Sequence, residues 1–112
     1  MNKRDRIILL KIIEEAAALA RMTDGIDESD FLANDEKTRA VCMTLINIGE
    51  LVKNLSGSFR SDNCQIPWKD IAGLRDVAAH GYFTLRMPDI WIYATKELPI
   101  YAMQISALLN AE

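Results

Sequence analysis

Hydrophobic residues recur along the chain at helical spacing, and no segment alternates with the two-residue period of a strand. The segment Arg4–Arg21 contains strong helix formers, lacks glycine and proline, and stops at the turn-like sequence TDGID. A second pattern covers Asp35–Leu55, with apolar side chains spaced by four and three residues. These patterns predict two amphipathic helices separated by a short turn at residues 31–32, which Ser29 or Asp30 can cap.

The second half of the chain predicts a loop and two further helices. Residues 56–65, SGSFRSDNCQ, are polar and turn-rich, as is typical of a loop. The third helix is expected over Pro67–His80, with Gly81 as a left-handed stop. The fourth helix opens at Pro88, and Pro99 within it should produce a kink.

The predicted fold is therefore all-α: an antiparallel bundle of four main helices, the last kinked at Pro99, in a single domain over residues 1–112. The composition, 50% hydrophobic and 26% charged, is typical of a folded globular chain. The net charge of -3 excludes a general basic field for nucleic acid, so any RNA contact must be local or must use a surface formed by assembly.

Two cysteines and the absence of a long apolar run limit the other classes of function. Cys42 and Cys64 lie 22 positions apart with no histidines near them in sequence, which indicates buried or idle thiols and no metal site. No apolar run approaches the ~20 residues of a membrane span, and the N-terminus leads directly into a helical pattern without a secretory leader. We predict a cytoplasmic protein without a membrane segment, metal or cofactor.

The stretch LRDVAAHGYF, residues 74–83, contains the only histidine of the chain. On a helical wheel Arg75 falls inside an apolar stripe, where a charge must be paired or remain partly hydrated. Asp76 and His80 are four residues apart, so the carboxylate can touch the imidazole. Arg75 and His80 are about 140° apart on a regular helix. Their convergence would require unwinding at Gly81, the long reach of the arginine, or a second chain.

A purely structural interpretation of these residues also exists. A histidine at the C-terminus of a helix interacts favourably with the helix dipole, and Asp76 could serve only to solvate His80. An arginine in an apolar stripe is commonly a structural ion-pair partner, and Glu50 or Glu97 could pair with Arg75.

The sequence resembles HEPN domains, specifically the HepT-like toxins encoded beside minimal nucleotidyltransferase antitoxins of the MntA type. RDVAAHGY, residues 75–82, follows the family pattern of arginine, a polar residue, three further residues, histidine, any residue and tyrosine. The segments at 46–56, 66–76 and 89–101 resemble other parts of the same family, so the similarity covers nearly the whole chain. Asp76 departs from the asparagine that is more usual in this branch.

The resemblance implies a homodimer in which the Arg-His motifs of both subunits meet in one cleft and cleave RNA without a metal ion. His80 would act as base or acid. Arg75 would bind the phosphate, and Asp76 would orient His80. In the family the motif tyrosine, here Tyr82, is AMPylated by the partner nucleotidyltransferase, which silences the toxin. The implied system is a type VII-like toxin-antitoxin module, and the two proteins could form a larger hetero-oligomer.

Two other functions stay open at this point. The chain could be a non-catalytic subunit that binds substrate or nucleotide for a nucleotidyltransferase, or a bundle that only mediates dimerisation. The aromatic residues are expected in the core or in an interface, not as stacking platforms for bases: Trp68, Trp91, Phe83 and Tyr93. Lys53 and Arg60 could line an RNA path near the cleft.

Overall fold

A computed structural model describes residues 1–84 and 86–111, and for residues 81–84 it describes the backbone only. Its regular elements in chain order are α1 (Lys3–Thr23), α2 (Glu28–Leu32), α3 (Asp35–Lys53), α4 (Gly57–Asp62), α5 (Trp68–Thr84), α6 (Met87–Ile92), a π-helical turn (Tyr93–Glu97) and α7 (Leu98–Asn110). No strand occurs in the described part of the chain. The all-α prediction is confirmed.

Four long helical segments form the bundle: α1, α3, α5, and the continuous run of α6, the π turn and α7. Arg4, near the start of α1, contacts Asn54 after the end of α3, so these two helices run antiparallel. Leucine, isoleucine and valine side chains at three- and four-residue spacing fill the centre. The fully enclosed aliphatic residues are Leu9, Ile12, Leu19, Val41, Leu45, Ile48, Val52, Ile71, Ile90 and Ile105.

The short helix α2 is capped by a residue other than those predicted. Asp27 accepts a hydrogen bond from the Asp30 backbone N–H at 2.8 Å, and the Asp30 side chain accepts one from the Asp27 N–H at 3.2 Å. The prediction of Ser29 or Asp30 as the cap was wrong, although Asp30 takes part in the reciprocal bond. An aspartate can replace glutamate in a capping box because its carboxylate still reaches the exposed N–H.

The predicted loop at 56–65 contains a helix, α4, and this part of the prediction was wrong. The Ser56 hydroxyl accepts a hydrogen bond from the Phe59 N–H at 3.2 Å and so caps α4. Phe59 is buried, and its ring packs against Trp68 with 5.8 Å between centroids. One buried aromatic and one cap therefore stabilise a helical turn within a polar sequence.

Helix α5 does not end at Gly81 as predicted but continues to Thr84. It begins at Trp68, one residue after the predicted start, because the Pro67 carbonyl accepts the first helical bond, from Ile71. A glycine inside a helix costs only about 1 kcal/mol relative to alanine, so Gly81 permits a stop without requiring one.

The last helix is interrupted before Pro99. The Leu98 N–H donates to the Tyr93 carbonyl, five residues back, which closes a π-helical turn. Pro99 has no N–H to donate, and the wider turn before it adapts the backbone to that loss. The predicted departure from a regular helix at Pro99 thus takes the form of a π turn, and Pro88 lies in the first turn of α6 as predicted.

The two ends of the bundle differ in their polar contacts, and we name them after one residue each. At the Asp5 end, the buried carboxylate of Asp5 accepts hydrogen bonds from the Ser56 N–H at 2.9 Å and the Ser56 hydroxyl at 2.6 Å. At the His80 end, α5 passes into α6, and Cys42 Sγ of α3 lies 3.9 Å from Met87 Sδ. Asn54, at the Asp5 end, is twelve residues beyond Cys42, so the two ends are about 18 Å apart along α3.

Both cysteines are free thiols, Cys42 buried and Cys64 exposed. No helix in the described residues is long and apolar enough to cross a bilayer.

Candidate functional site

A close crossing of α3 and α5 places Arg75. A Cβ atom on Gly49 would lie 2.6 Å from the Arg75 Cβ and 2.8 Å from both the Ala72 carbonyl oxygen and the Arg75 backbone nitrogen. Real side chains essentially never approach so closely, so this contact requires glycine. Sequence reasoning missed the role of Gly49. Its signal is a lone glycine between buried residues of an otherwise regular helix.

Arg75 is held by two carboxylates on the surface of this crossing. Its Nε lies 3.0 Å from Glu50 Oε1, and its Nη1 lies 3.0 Å from Asp76 Oδ1. The Arg75 side chain is 45% exposed, so its base is packed against α3 while its head remains hydrated. The hydrogen bond and charge of Asp76 and the charge of Glu50 raise the pKa of Arg75, which therefore stays cationic. The predicted structural partner Glu50 is thus present, and Asp76 is a second partner.

Asp76 links this ion pair to the histidine. The hydrogen bond from Arg75 lowers the pKa of the Asp76 carboxyl, and electrostatic interactions with Lys53, Arg75 and His80 lower it further. Lys53 Nζ in turn lies 3.7 Å from Glu50 Oε1. Positive and negative side chains therefore alternate across α3 and α5, and Asp76 is ionised throughout the neutral range.

His80 lines a pocket of about 320 Å³ between α5 and the start of the last helix. As their four-residue spacing predicts, Asp76 and His80 lie on the same wall of this pocket. The opposite wall carries Arg86 and Asp89, which form an ion pair: Arg86 Nε and Nη2 lie 3.1 and 3.0 Å from Asp89 Oδ2. Tyr93 and Val77 complete the lining.

Of the three routes by which Arg75 could approach His80, unwinding at Gly81 is not used, because α5 stays helical to Thr84. The reach of the arginine carries its head to Asp76, whose carboxylate shares the wall of the His80 pocket. This brings two of the three predicted catalytic residues into direct contact and the third beside them. The side chain of Tyr82 lies outside the described residues.

A larger cavity of about 610 Å³ lies elsewhere, between α1 and α7, and contains none of these residues. Its walls are mainly alanine and aliphatic side chains. Cavity size alone would point there, but the titratable groups that chemistry requires are at His80. The described residues contain no group of three or more histidine, cysteine, aspartate or glutamate side chains that could hold a metal ion.

Comparison with known proteins identifies the family. The family described as "Ribonuclease HepT-like" matches residues 12–108. The chain belongs to the ribonuclease HepT-like family. It is 38% identical over 110 residues to a protein of Caldanaerobacter subterraneus subsp. tengcongensis named as a candidate RNase, with 98% of each chain covered.

More distant relatives come from archaea. A protein of Methanocaldococcus jannaschii, also named as a candidate RNase, is 33% identical over 111 residues, covering 98% of this chain and 92% of its own. "Probable ribonuclease HepT" of Thermococcus cleftensis is 29% identical over 99 residues, covering 88% and 90%. No solved structure gave a significant match. The family predicted from the Arg-His motif is confirmed.

The two residues predicted to line an RNA path differ in their relation to the site of this HepT-like chain. Lys53 contacts Glu50, which also binds Arg75, while Arg60 lies on α4 at the Asp5 end. Trp68 is buried, and Trp91 packs against the core with its ring 5.2 Å from that of Phe31. Both tryptophans are therefore structural, as predicted.

The other two aromatic residues lie near the His80 end of the bundle. Tyr93 contacts the core as predicted, but it also lines the His80 pocket. The side chain of Phe83 lies outside the described residues. Arg86 and Asp89 were not predicted as site residues; their signal in the sequence is an opposite-charge pair at three-residue spacing across a helix start.

Proposed function

We propose that this chain is a HepT-like endoribonuclease toxin that cleaves RNA with Arg75, Asp76 and His80. The observation that carries the proposal is the contact of Arg75 with Asp76 on the wall of the pocket that His80 lines. An arginine provides a bidentate fork for a phosphate, and an imidazole can accept or donate a proton near neutral pH. Family membership supports ribonuclease chemistry for this set of residues.

The reaction is an attack of a ribose 2'-hydroxyl on the adjacent phosphorus. His80 takes the 2'-hydroxyl proton as the 2'-oxygen–phosphorus bond forms. The bond from phosphorus to the 5'-oxygen breaks, and an imidazolium donates a proton to that oxygen. The products are a 2',3'-cyclic phosphate and a 5'-hydroxyl, and Arg75 stabilises the negative charge that grows on the phosphate oxygens.

Phosphate binding requires an exchange of partners at Arg75, because two carboxylates now hold it. We expect the phosphate to replace Asp76 at Nη1 while Glu50 keeps its bond to Nε. Asp76 is then released to orient His80, as carboxylates do for catalytic imidazoles. Substrate binding would in this way assemble the acid-base group.

The second imidazole in this proposal comes from a second copy of the chain, in a homodimer whose two motifs share one cleft. In one chain, Arg75 contacts Asp76 but does not itself line the His80 pocket, which supports a need for two copies. Sedimentation should show a dimer. When wild type is mixed with excess His80→Ala protein, the activity per wild-type chain should fall, because mixed dimers have one imidazole. If the subunits act independently, the activity per wild-type chain will not change.

The direct test compares wild type with His80→Ala and Arg75→Ala on labelled RNA. His80→Ala should lose about 10²- to 10⁴-fold in cleavage rate, the usual contribution of acid-base catalysis. Arg75→Ala should lose about 10²- to 10³-fold, the usual cost of removing a donor that stabilises transition-state charge. Circular dichroism should confirm that both variants stay folded, since both side chains are exposed. Unchanged cleavage in both variants would place the active site elsewhere. Wild-type protein that binds RNA or nucleotides and never cuts RNA would favour the non-catalytic binding subunit.

We further propose that a partner nucleotidyltransferase silences the toxin by AMPylation of Tyr82. An adenylyl group two residues after His80 would add negative charge and bulk where RNA must approach. Mass spectrometry after co-expression with a minimal nucleotidyltransferase should find the adduct on Tyr82 and not on Tyr93 or Tyr101. Full toxicity of wild type in the presence of that partner would contradict this regulation.

A further inference from the structure

The pocket beside His80 has a second arginine that lies outside the Arg-His motif. Arg86 follows the end of α5, and Asp89 lies one turn further on α6. The two side chains are 71% and 43% exposed, and both line the pocket. Arg86 and His80 thus line the same pocket, whereas Arg75 does not line it and contacts it only through Asp76.

The ion pair leaves one edge of the Arg86 guanidinium open. Asp89 binds Nε and Nη2 through the same oxygen, Oδ2, and so occupies two of the five N–H donors. Among the described residues, no other side chain accepts a hydrogen bond from the remaining donors on Nη1 and Nη2. These two nitrogens form a fork of the shape that binds a phosphate with two parallel hydrogen bonds. Asp89 meanwhile fixes the plane of the guanidinium.

The charges also differ between the two arginines. Arg75 forms ion pairs with Glu50 and Asp76, whereas among the residues that the structure describes Arg86 pairs only with Asp89. Arg86 lines the His80 pocket of about 320 Å³, at the lower end of the ~300–1,000 Å³ range of ligand sites, and Arg75 adjoins this pocket through Asp76. RNA has one phosphate per nucleotide, so RNA that binds Arg75 through its scissile phosphate has a further phosphate one nucleotide away for Arg86 to bind.

We propose that Arg86, held by Asp89, binds the RNA phosphate next to the scissile one, and that the pocket takes the nucleotide between them. This inference rests on the proposed ribonuclease function. It makes Arg86 a substrate-binding residue that favours RNA longer than a single phosphodiester. The alternative is a surface ion pair that only supports the start of α6.

The first experiment compares cleavage of substrates that differ by one phosphate. The probes are the dinucleotide NpN and its forms with a terminal phosphate, pNpN and NpNp, which also show on which side the extra phosphate binds. Wild type should have roughly tenfold higher kcat/KM for one of the phosphorylated forms, the value of one good ionic contact. In Arg86→Gln this ratio should fall to about one.

Arg6→Gln is the matched control, because Arg6 is exposed and lies next to Asp5 at the other end of the bundle. It makes the same change in charge and should keep the wild-type ratio. A ratio retained in Arg86→Gln, or lost equally in Arg6→Gln, would overturn the subsite. Melting curves of both variants should match wild type, which separates the subsite from a structural ion pair.

A binding experiment separates failure of the subsite from failure of the proposed function. In His80→Ala protein, which should bind without cutting, the slope of log Kd against log salt for a single-stranded RNA reports the number of phosphate contacts. Adding Arg86→Gln should lower the slope by about 0.7, and adding Arg6→Gln should not change it. If wild type cleaves RNA but adding Arg86→Gln leaves the slope unchanged, the subsite is overturned while the proposed ribonuclease function stands. If wild type neither binds nor cuts RNA, the proposed function and the subsite both fail.

Discussion

The Asp5 end and the His80 end both use carboxylates, but in opposite ways. Asp5 is 1% exposed, and both its oxygens accept hydrogen bonds from Ser56. Asp76 is exposed, shares an arginine with Glu50, and faces a pocket. A buried carboxylate with fixed partners stabilises a fold, whereas an exposed one can exchange partners. Burial and fixed partners therefore distinguish a structural polar cluster from one that can take part in catalysis, although both contain an aspartate.

The largest effect that can test this comparison is expected from Asp5→Ala. It removes both hydrogen bonds to Ser56 and leaves the Ser56 N–H without its partner, so the free energy of unfolding should fall by about 2–4 kcal/mol. Asp76→Ala is the counterpart at the other end and should leave the Tm unchanged while altering RNA cleavage. Urea denaturation measures the first effect. Similar losses of stability in both variants would remove the distinction between the two ends.

Much of this fold could be predicted, because α1 and α3 have long apolar stripes whose period is visible without tertiary information. The prediction failed where one contact decides the structure. Helix α4 depends on a buried Phe59 and a Ser56 cap inside a polar segment, and α5 passes Gly81 although glycine commonly ends a helix. Local propensity differs by about 1 kcal/mol in such cases, so packing decides.

The candidate site could be predicted in part, for a similar reason. The spacing of Asp76 and His80 on one helix fixes their common face. The position of Arg75 depends on how closely α3 approaches α5, and the position of Arg86 depends on the path of the chain from α5 into α6. Both positions depend on how two helices are arranged relative to each other, and the sequence pattern of a single helix does not specify that arrangement.

The second test concerns the crossing that positions the site. Gly49→Ala places a methyl group against the backbone of α5, and the cost of overpacking, about 1–3 kcal/mol, exceeds the ~1 kcal/mol gained in helix propensity. We expect a net loss of up to about 2 kcal/mol and lower RNA cleavage, since Arg75 must move with α5. Denaturation and cleavage assays of the same preparation measure both.

Gly73→Ala is the matched control on the other helix of the crossing. No atom outside its local helix lies within 4 Å of the position of its Cβ, so this variant should gain up to about 1 kcal/mol from helix propensity. Equal destabilisation by the two substitutions would mean that the close approach at Gly49 does not limit the packing of α3 on α5.

The third test asks whether Glu50 positions Arg75. Glu50→Gln keeps the shape of the side chain but removes the charge that holds Arg75 Nε at 3.0 Å. We expect roughly a tenfold loss in kcat/KM, below the ~100-fold that a displacement of 1 Å can cause, with no change in Tm. Glu14→Gln is the control, because Glu14 lines the same cleft between α1 and α3 as Glu50. An equal loss in both would indicate a general effect of charge and not positioning.

The smallest effect concerns the core beneath the His80 end. It tests whether water reaches that core or only the surface of this end. Burial raises the pKa of the Cys42 thiol from 9.0 to about 11. Below pH 9 the thiol is neutral in both the folded and unfolded chain. Between pH 9 and 11 the unfolded chain loses the proton first, so stability should fall with rising pH, by about 1 kcal/mol at pH 10.

Urea denaturation of wild type and Cys42→Ala at pH 8 and pH 10 isolates the contribution of the Cys42 thiol to the free energy of unfolding, because the other titrating groups are common to both. The same pH dependence in both proteins would mean that the Cys42 thiol is accessible to water, so that solvent reaches the core beneath the His80 end.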